Sequence, residues 1–195
     1  MFAPWWHVRF NLPIVLSLAE WSALTFFWRA AAKTASPAKS SEPRRSRRVH
    51  QTLLNAALLL VALPIRGPGP RPLPDAIWIA WLGFGIQTAS AVLAVRARQH
   101  LASHWSGEIT IKVDHELIRS GPYRFVRHPI YSGILGMFFG AAIVSGGWQG
   151  ILGLGMSCGA YWRKIRLEEA NLRKAFGPAY DAYRRETGSL IPKLW

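Results

Sequence analysis

The sequence predicts an all-α integral membrane protein with about five transmembrane helices and a cytosolic C-terminal region. Half of the 195 residues are hydrophobic, ten are Trp, and only 17 % are charged. The 24 basic residues exceed the 10 acidic ones, and this excess lies between long apolar runs. Basic segments between apolar runs are typical of a membrane protein. Nucleic-acid binding is disfavoured, because it would need basic residues spread over a soluble scaffold.

Five apolar runs define the predicted helices. A spanning helix needs about 17–25 residues, so the first three runs are long enough and the last two are short. The sequence Ser145-Gly146-Gly147 separates the last two, which predicts a tight helical hairpin whose helices are tilted or extend into the polar sequence around them. The runs cover residues 12–32, 49–65, 76–95, 130–144 and 148–162.

Small residues mark both helices of this hairpin. Gly133, Gly136 and Gly140 lie in the fourth run, and Gly155 and Gly159 lie in the fifth. Glycines allow the backbones of membrane helices to approach closely. We therefore expect all five to serve helix packing.

The distribution of Lys and Arg predicts the orientation. Residues 33–50 hold six of them, residues 96–129 another six and residues 163–195 eight, whereas the segments of the opposite side hold only Arg9, Arg66 and Arg71. Because basic loops stay in the cytosol, the N-terminus is expected outside and the C-terminus in the cytosol. The composition favours a bacterial inner membrane.

The segments that connect the runs also carry predictions. Residues 36–48 are expected to form a flexible loop near anionic headgroups, and residues 65–74 a non-helical outer turn. The first run is too long for a signal peptide and is expected to stay as a helix. In the tail, a helix should end at Phe176, with Gly177 as its C-cap and Pro178 opening the next helix. Phe176, Tyr180 and Tyr183 are expected to face the membrane or the hairpin.

No metal site is expected. Cys158 is the single cysteine. His100 and His104 are four residues apart, but they have no third ligand nearby. They are therefore interpreted as interfacial polar residues.

A dense polar cluster precedes the fourth run, in the sequence LIRSGPYRFVRHPIYSG of residues 117–133. Pro129 suits the first position of a helix, and a helix N-terminus with its free N–H groups can hold an anion. His128 and Tyr131 at the same end can add side-chain donors. Alternatively, His128 only caps the helix and Arg127 pairs with a lipid phosphate.

Two adjacent carboxylates, Glu168 and Glu169, follow the fifth run. They can form ion pairs along their own helix, Glu169 with Arg173 and Glu168 with Lys164. Alternatively, they accept hydrogen bonds from ribose hydroxyls or an ammonium group. An anion site opposite a carboxylate site suits a zwitterionic nucleoside such as S-adenosylmethionine.

These two motifs together resemble the isoprenylcysteine carboxyl methyltransferase family and its phospholipid methyltransferase relatives. The resemblance rests on HELIRSGPYRFVRHPIYSG and, about 35 residues later, EEANLRKAFGPAYDAY, and it covers roughly residues 76–192. It implies an N-terminal membrane region, 1–75, and a catalytic region, 76–195. It also implies that S-adenosylmethionine binds in a cytosolic pocket that the tail closes.

The resemblance implies a set of cofactor contacts. The predicted site also includes two residues beyond those contacts, namely Gly121 of the Gly-Pro-Tyr turn and the second carboxylate, Glu169. A weaker match, Gly83-Phe84-Gly85, is interpreted as helix packing. The contacts that the resemblance implies are His115, Glu116, Leu117, Ile118, Tyr123, His128, Pro129, Ile130, Tyr131 and Glu168.

The substrate is predicted to be lipophilic and to come from the bilayer. In the family an Arg one turn before the carboxylate faces the substrate; here that position is Lys164, with Arg163 and Arg166 beside it, and these three are expected to orient the substrate. Lys lacks the planar fork of Arg. Carboxyl O-methylation is the first choice, with phospholipid amine N-methylation or thiol S-methylation as alternatives. An NADPH-dependent enzyme like the sterol reductases, or a scaffold without catalysis, are the other classes considered.

Overall fold

The computed structural model describes residues 11–32, 43–63, 71–101 and 117–193. These residues form six α-helices, and a short 3-10 helix, Gly121–Arg124, precedes the fourth. An isolated parallel bridge pairs Val126 with Gly188. The helices are α1 (Leu12–Ala32), α2 (Arg44–Ala62), α3 (Ile77–Leu101), α4 (Pro129–Ser145), α5 (Trp148–Phe176) and α6 (Pro178–Glu186).

All five predicted helices are present. The bounds of α1 are those expected, and α4 begins at Pro129, which takes the first helical position. The hairpin is tight, because α4 ends at Ser145 and Gly146 adopts the left-handed conformation, with φ of 62°. A residue with a side chain is strained at this φ, whereas glycine is not. The Gly-Gly turn therefore determines where the two helices separate.

The polar sequence beside the apolar runs is more helical than expected. The basic residues Arg44–Arg48 belong to α2, so the prediction of a flexible loop is wrong for them. Arg is a good helix former, and Pro43 occupies the N-cap, which together explain the early start. Helix α3 continues beyond its apolar run to Leu101, and α5 runs unbroken to Phe176. The predicted C-cap, Gly177, has φ of 51°, and Pro178 opens α6 as expected.

The α3–α4 pair forms the centre of the bundle, and its close contact depends on glycine. A Cβ atom at Gly133 would lie 2.7 Å from the backbone N of Ala94, and one at Gly140 would lie 2.5 Å from the carbonyl oxygen of Gly83. The prediction that the α4 glycines serve packing is confirmed. Gly83 is explained in the same way.

The corresponding prediction for α5 is wrong. A Cβ atom at Gly155 or Gly159 would have nothing within 4 Å among the described residues. Helix α5 approaches its neighbours closely on a different face, where Gly150 lies against Ala142 of α4 and Gly153 against the carbonyl oxygen of Ala57 of α2. Spacing alone could not reveal which face of α5 meets α2 and α4.

Contacts between helices place the basic segments at one end of the bundle. The guanidinium of Arg98 donates a hydrogen bond of 2.8 Å to the carbonyl oxygen of Ala31, so the C-terminal ends of α1 and α3 lie together. Arg163 donates one of 2.6 Å to the hydroxyl of Ser46, which joins the start of α2 to the polar part of α5. We call this side, with the start of α4, the basic end.

One described helix, α3, is long and apolar enough by length and hydropathy to cross a membrane, and α4 is a shorter apolar helix. The number of spanning helices and their orientation therefore stay predictions.

Glycine contacts give a testable difference between two helices. Gly140→Ala should lower the free energy of unfolding by about 1–3 kcal/mol, because the new methyl group overlaps the α3 backbone. Gly155→Ala should leave stability unchanged or raise it by up to about 1 kcal/mol, since it gains helix propensity in open space. Thermal melting of both purified variants measures this. Equal melting temperatures would contradict the packing described for α4.

Candidate active site

The predicted polar cluster is held in place by the C-terminal tail. Two backbone N–H groups at the start of α4 bond to the tail: that of Arg127 to the carbonyl oxygen of Gly188, at 2.9 Å, and that of His128 to Ser189, at 3.1 Å. The hydroxyl of Ser132 donates a 2.6 Å bond to the carbonyl oxygen of Leu190. The tail therefore pairs the N–H of the N-cap residue His128, which a helix N-terminus otherwise leaves open, and the N–H of Arg127 just before it.

An ion pair between buried Arg127 and partly buried Glu169 lies at this junction. The Nε of Arg127 donates a 2.9 Å hydrogen bond to Oε1 of Glu169, and the two side chains are 4 % and 16 % exposed. The same guanidinium donates to the carbonyl oxygens of Arg184 and Thr187. Arg184 itself lies 3.4 Å from Glu169. Arg127 thus joins α4, α5 and the tail, and it does not face a lipid phosphate.

Glu169 also contacts His128, whose Nε2 lies 3.3 Å from Oε1. Burial by itself would raise the pKa of Glu169. The hydrogen bonds and charges of His128 and Arg127 outweigh burial and lower that pKa to about 2. The pair with Arg173 along α5 is not formed, because Arg173 bonds to Asp181 at 2.7 Å. The second carboxylate is therefore a charged, structural anchor.

Glu168 shares the neighbour His128, whose Nδ1 lies 3.9 Å from its Oε2, and it also contacts Tyr131. Its Oε2 accepts a 2.8 Å hydrogen bond from the hydroxyl of Tyr131, and its side chain is 29 % exposed. The Tyr131 ring stacks on His128, with centroids 5.4 Å apart and planes 6° from parallel. On its other side it packs against Tyr161 at 4.9 Å. His128 makes no side-chain cap of α4, so its ring belongs to this stack.

The 3-10 helix packs between the end of α3 and the start of α4. Tyr123 is buried with Ala97 and Ile130, and Ile118 packs on the same cluster. The hydroxyl of Tyr183 donates a 2.6 Å bond to the carbonyl oxygen of Tyr123. Tyr180 and Tyr183 are buried, at 0 % and 3 % exposure, which contradicts an orientation toward the membrane and leaves the predicted orientation toward the hairpin. Burial raises the pKa of Tyr183 to about 12, so its hydroxyl stays protonated.

Most of the predicted cofactor residues lie at this one place. Gly121 has φ of 59°, and a Cβ there would meet the ring of His100 at 2.6 Å, so this glycine is explained by the turn and by packing. His115 and Glu116 lie outside the described residues. Leu117 is described, but no contact places it at the site. Those that meet or pack beside the start of α4 are Ile118, Tyr123, His128, Pro129, Ile130, Tyr131, Glu168 and Glu169.

A cavity of about 370 Å³ lies beside this group, between α1, α2, α4 and α5. The Tyr131 ring forms part of its wall, and Lys164 is the one predicted substrate cation that lines it. Arg163 bonds to Ser46 of α2, and Arg166 is exposed. The helical spacing explains this difference, since Tyr161, Lys164 and Glu168 share one face of α5.

Sequence reasoning did not assign three features of this region. From the sequence, a lipid phosphate is one alternative partner of Arg127, and neither its bond to Glu169, nor the role of Arg184, nor the cavity wall from α1 and α2 is predicted. An arginine beside the His-Pro pair was the available signal for the first. Only the folded chain brings the other groups to the site.

The phospholipid methyltransferase family matches residues 78–179, just over half of the chain. The chain belongs to this family. The family prediction drawn from the two motifs is thereby confirmed.

Two curated relatives match part of the chain. The chain is 28 % identical over 121 residues to the protein-S-isoprenylcysteine O-methyltransferase of Schizosaccharomyces pombe, covering 62 % of this chain and 49 % of the relative. It is 32 % identical over 124 residues to the cobalt-zinc-cadmium resistance protein of Cupriavidus metallidurans, covering 62 % and 54 %. This chain thus spans about half the length of these curated relatives.

The fold is similar to that of a eukaryotic intramembrane Ras methyltransferase, isoprenylcysteine carboxyl methyltransferase. The TM-score is 0.62 at 18 % sequence identity, and the match covers 93 % of this chain and 68 % of that one. The likeness shows a shared helical membrane fold, in agreement with the predicted fold class.

The buried ion pair gives a prediction about stability. Glu169→Ala should lower the free energy of unfolding by about 3 kcal/mol, because it leaves the buried Arg127 guanidinium without its carboxylate. Glu168→Gln is the matched control and should cost at most about 1 kcal/mol, since it weakens one hydrogen bond. Thermal melting of the two variants distinguishes an anchor from an exposed pair.

The pH dependence of the same measurement checks the cause. The pKa of Glu169 is about 2 in the folded protein against an ordinary 4.5, so its contribution is present above pH 4.5 and is lost as the pH falls through about 2. The difference in melting temperature between wild type and Glu169→Ala should be constant from about pH 7 to 5 and shrink at lower pH. A difference that is unchanged near pH 2.5 would contradict the charge assignment.

Proposed function

We propose that the protein is a membrane-embedded, S-adenosylmethionine-dependent methyltransferase that methylates a lipophilic acceptor, with a carboxyl oxygen as the preferred nucleophile. One observation supports this most directly. Tyr131 lines the cavity with its ring and donates its hydroxyl to Glu168, so the cavity and the carboxylate share one side chain. A lipophilic acceptor in the cavity and a polar cofactor at Glu168 would therefore be neighbours.

The side chains near Glu168 fit this cofactor chemically. The half-exposed carboxylate of Glu168 suits a ribose hydroxyl or an ammonium group, and the His128–Tyr131 stack offers flat apolar surface beside it. The hydroxyl of Tyr180 is buried and has no hydrogen-bond partner among the described residues. A buried hydroxyl is normally paired, so an unpaired one in this region is consistent with a missing polar group.

The proposed reaction asks mainly for positioning. When bound, S-adenosylmethionine supplies a methyl group that is already activated by a sulfonium. A carboxylate is deprotonated at neutral pH and needs no general base, so its rate depends on alignment and on excluding water. Lys164 lies in the cavity wall and would help to orient an acidic acceptor. The ion pair between Glu169 and Arg127 would hold the start of α4 and the tail in fixed relative positions.

The orientation of the protein in the membrane is part of the proposal. The N-terminus lies outside and the basic end, with the proposed site, faces the cytosol, which is the arrangement that the distribution of Lys and Arg favours. A bacterial inner membrane is proposed as the location. The acceptor then reaches the cavity from the bilayer and the cofactor from the cytosol.

N-methylation of a phospholipid amine is the second candidate, because the matching family is described by phospholipid methylation. An amine must lose a proton before or during methyl transfer and would need a base near the cavity. Incubation of the purified protein with labelled S-adenosylmethionine and three acceptors tests both candidates: a prenylated cysteine analogue, phosphatidylethanolamine and an alkyl thiol. Volatile label released by base marks an ester. NADPH binding with no S-adenosylhomocysteine binding would refute methyl transfer.

The two adjacent carboxylates should differ in cofactor binding. Glu168→Gln should weaken S-adenosylhomocysteine binding by about 10- to 100-fold. The substitution removes a charged hydrogen-bond acceptor, and a hydrogen bond to a charged group contributes about 1.5–3 kcal/mol. Glu169→Gln should affect affinity far less, since Glu169 is occupied by Arg127 and His128. Isothermal titration measures both affinities, at a temperature at which both variants are fully folded. Equal, small losses would remove Glu168 from the cofactor site.

His128→Ala should abolish methyl transfer while the protein still inserts and purifies. The imidazole makes no helix cap, and its ring lies against Tyr131 beside both carboxylates. Loss of one preorganised polar group in an active site costs about 10²–10³ in rate. Activity, cofactor affinity and melting temperature should be measured on the same sample. A lowered melting temperature with normal affinity would give His128 a structural role only.

A further inference from the structure

The wall of the cavity beside Tyr131 contains a band of uncharged polar side chains. Two amides, Gln51 and Asn55, lie four residues apart on one face of α2 and line the cavity. Both are exposed, so a ligand can reach them, and neither amide has a hydrogen-bond partner among the described residues. From α1, Trp21 and Thr25 belong to the same wall. We call these four side chains the polar band.

The indole of Trp21 is the buried member of the polar band. The residue is 8 % exposed, and its Nε1 has no hydrogen-bond partner within the part of the chain that the structure describes. A buried indole N–H normally has an acceptor. Thr25 donates its hydroxyl to the backbone carbonyl oxygen of Trp21 at 2.9 Å, so the hydroxyl oxygen of Thr25 can still accept a hydrogen bond. The band thus offers a buried, unpaired donor with further donors and acceptors beside it.

The four side chains form two levels. Counted from the ends of α1 and α2 at the basic end, Thr25 and Gln51 are both seven residues into their helices, and Trp21 and Asn55 are both eleven residues in. At 1.5 Å per residue these levels lie about 10 Å and about 16 Å deep. Leu54, between the two amides, lines the cavity as an apolar side chain. The polar groups therefore face a region of the cavity well inside the bundle.

We infer that the lipophilic part of the methyl acceptor carries an uncharged oxygen function, a hydroxyl or a carbonyl, and that the polar band binds it. The inference rests on the proposed function, because it takes the ligand of the cavity to be the methyl acceptor. Trp21 can only donate a hydrogen bond, so the ligand must present an acceptor atom, whereas the amides can meet either a donor or an acceptor. A pure hydrocarbon chain, whether prenyl or saturated, would leave the buried N–H of Trp21 unpaired, which is unfavourable.

Two further observations define the group and the helices that bind it. The four side chains of the band carry no net charge, so an ion placed among them would lose its hydration without gaining a counterion. His50 also lines the cavity, but its Nδ1 lies 3.2 Å from the carbonyl oxygen of Ala160 and its ring meets Tyr161, which join α2 to α5. Helices α1 and α2 precede residues 78–179, which the family match covers. The polar band is therefore a feature of the N-terminal helices.

Matched pairs of amphiphiles test the inference on the full-length protein without cofactor. Each pair is tetradecanoic acid or tetradecylamine with and without one hydroxyl, which is placed at successive carbons along the chain. Comparison within a pair cancels the contribution of the head group. We expect the hydroxylated member to bind about tenfold more tightly where its hydroxyl reaches the band, with weaker binding when the hydroxyl lies nearer to either end of the chain. No binding of any probe, equal affinity within every pair, or the same gain at every position would overturn the inference.

Variants of the band separate recognition from folding. Asn55→Leu should weaken binding of the best hydroxylated probe by about tenfold and strengthen binding of its unsubstituted partner, because an apolar side chain replaces the amide. Misfolding would weaken both, so opposite shifts cannot arise from it. Trp21→Phe keeps an aromatic ring and should weaken only the hydroxylated probe. Thr52→Val is the matched control, since Thr52 is exposed on the same helix and does not line the cavity, and it should change neither affinity. The same response in Asn55→Leu and Thr52→Val would overturn the inference.

Binding of S-adenosylhomocysteine is measured separately on wild type and every variant. If wild type prefers the hydroxylated probes as described but does not bind S-adenosylhomocysteine, the proposed function fails and the polar band stands as a binding site for an oxygenated lipid. If S-adenosylhomocysteine binds and the matched pairs show no preference, the present inference fails and the proposed function stands.

Discussion

The ion pair between Arg127 and Glu169 is the interaction on which the geometry of the candidate site depends. A charged pair with side chains 4 % and 16 % exposed is stable only when its remaining hydrogen-bonding capacity is satisfied. Arg127 meets this requirement by also donating to carbonyl oxygens of the tail, and Glu169 by accepting from His128. A single guanidinium therefore determines the relative positions of α4, α5 and the last residues of the chain.

The two adjacent carboxylates, Glu168 and Glu169, differ in their surroundings. Glu169 is enclosed by cations, and its pKa of about 2 keeps it charged at any physiological pH. Glu168, one residue earlier, keeps part of its surface exposed, accepts a hydrogen bond from the hydroxyl of Tyr131 and lies 3.9 Å from Nδ1 of His128. Adjacent residues on a helix face directions about 100° apart, so one can anchor the tail while the other remains able to bind a ligand.

The scaffold beneath the site explains why α4 can hold its N-terminus in one place. Backbone contact between α3 and α4 at Gly83 and Gly140 leaves no room for adjustment at the pair's centre. Helix α1 packs against α3 and α4, helix α2 packs against α5 and α4, and the cavity is lined by α1, α2, α4 and α5. A rigid centre with a cavity at its side suits a reaction that depends on positioning more than on acid–base chemistry.

The sequence by itself determined the helices, the tight hairpin, the caps at Gly177 and Pro178, and the family. These features are local, since an uninterrupted apolar run, a glycine at positive φ and a proline at a helix start are each read within one segment of the sequence. Tertiary structure alone decided that Arg127 pairs with Glu169 across 42 residues, that Tyr180 is buried, that Gly153 rather than Gly155 packs, and that Lys164 rather than Arg166 lines the cavity. Each of these outcomes depends on which face of a helix meets its neighbour, and a short stretch of sequence carries no information about the neighbour.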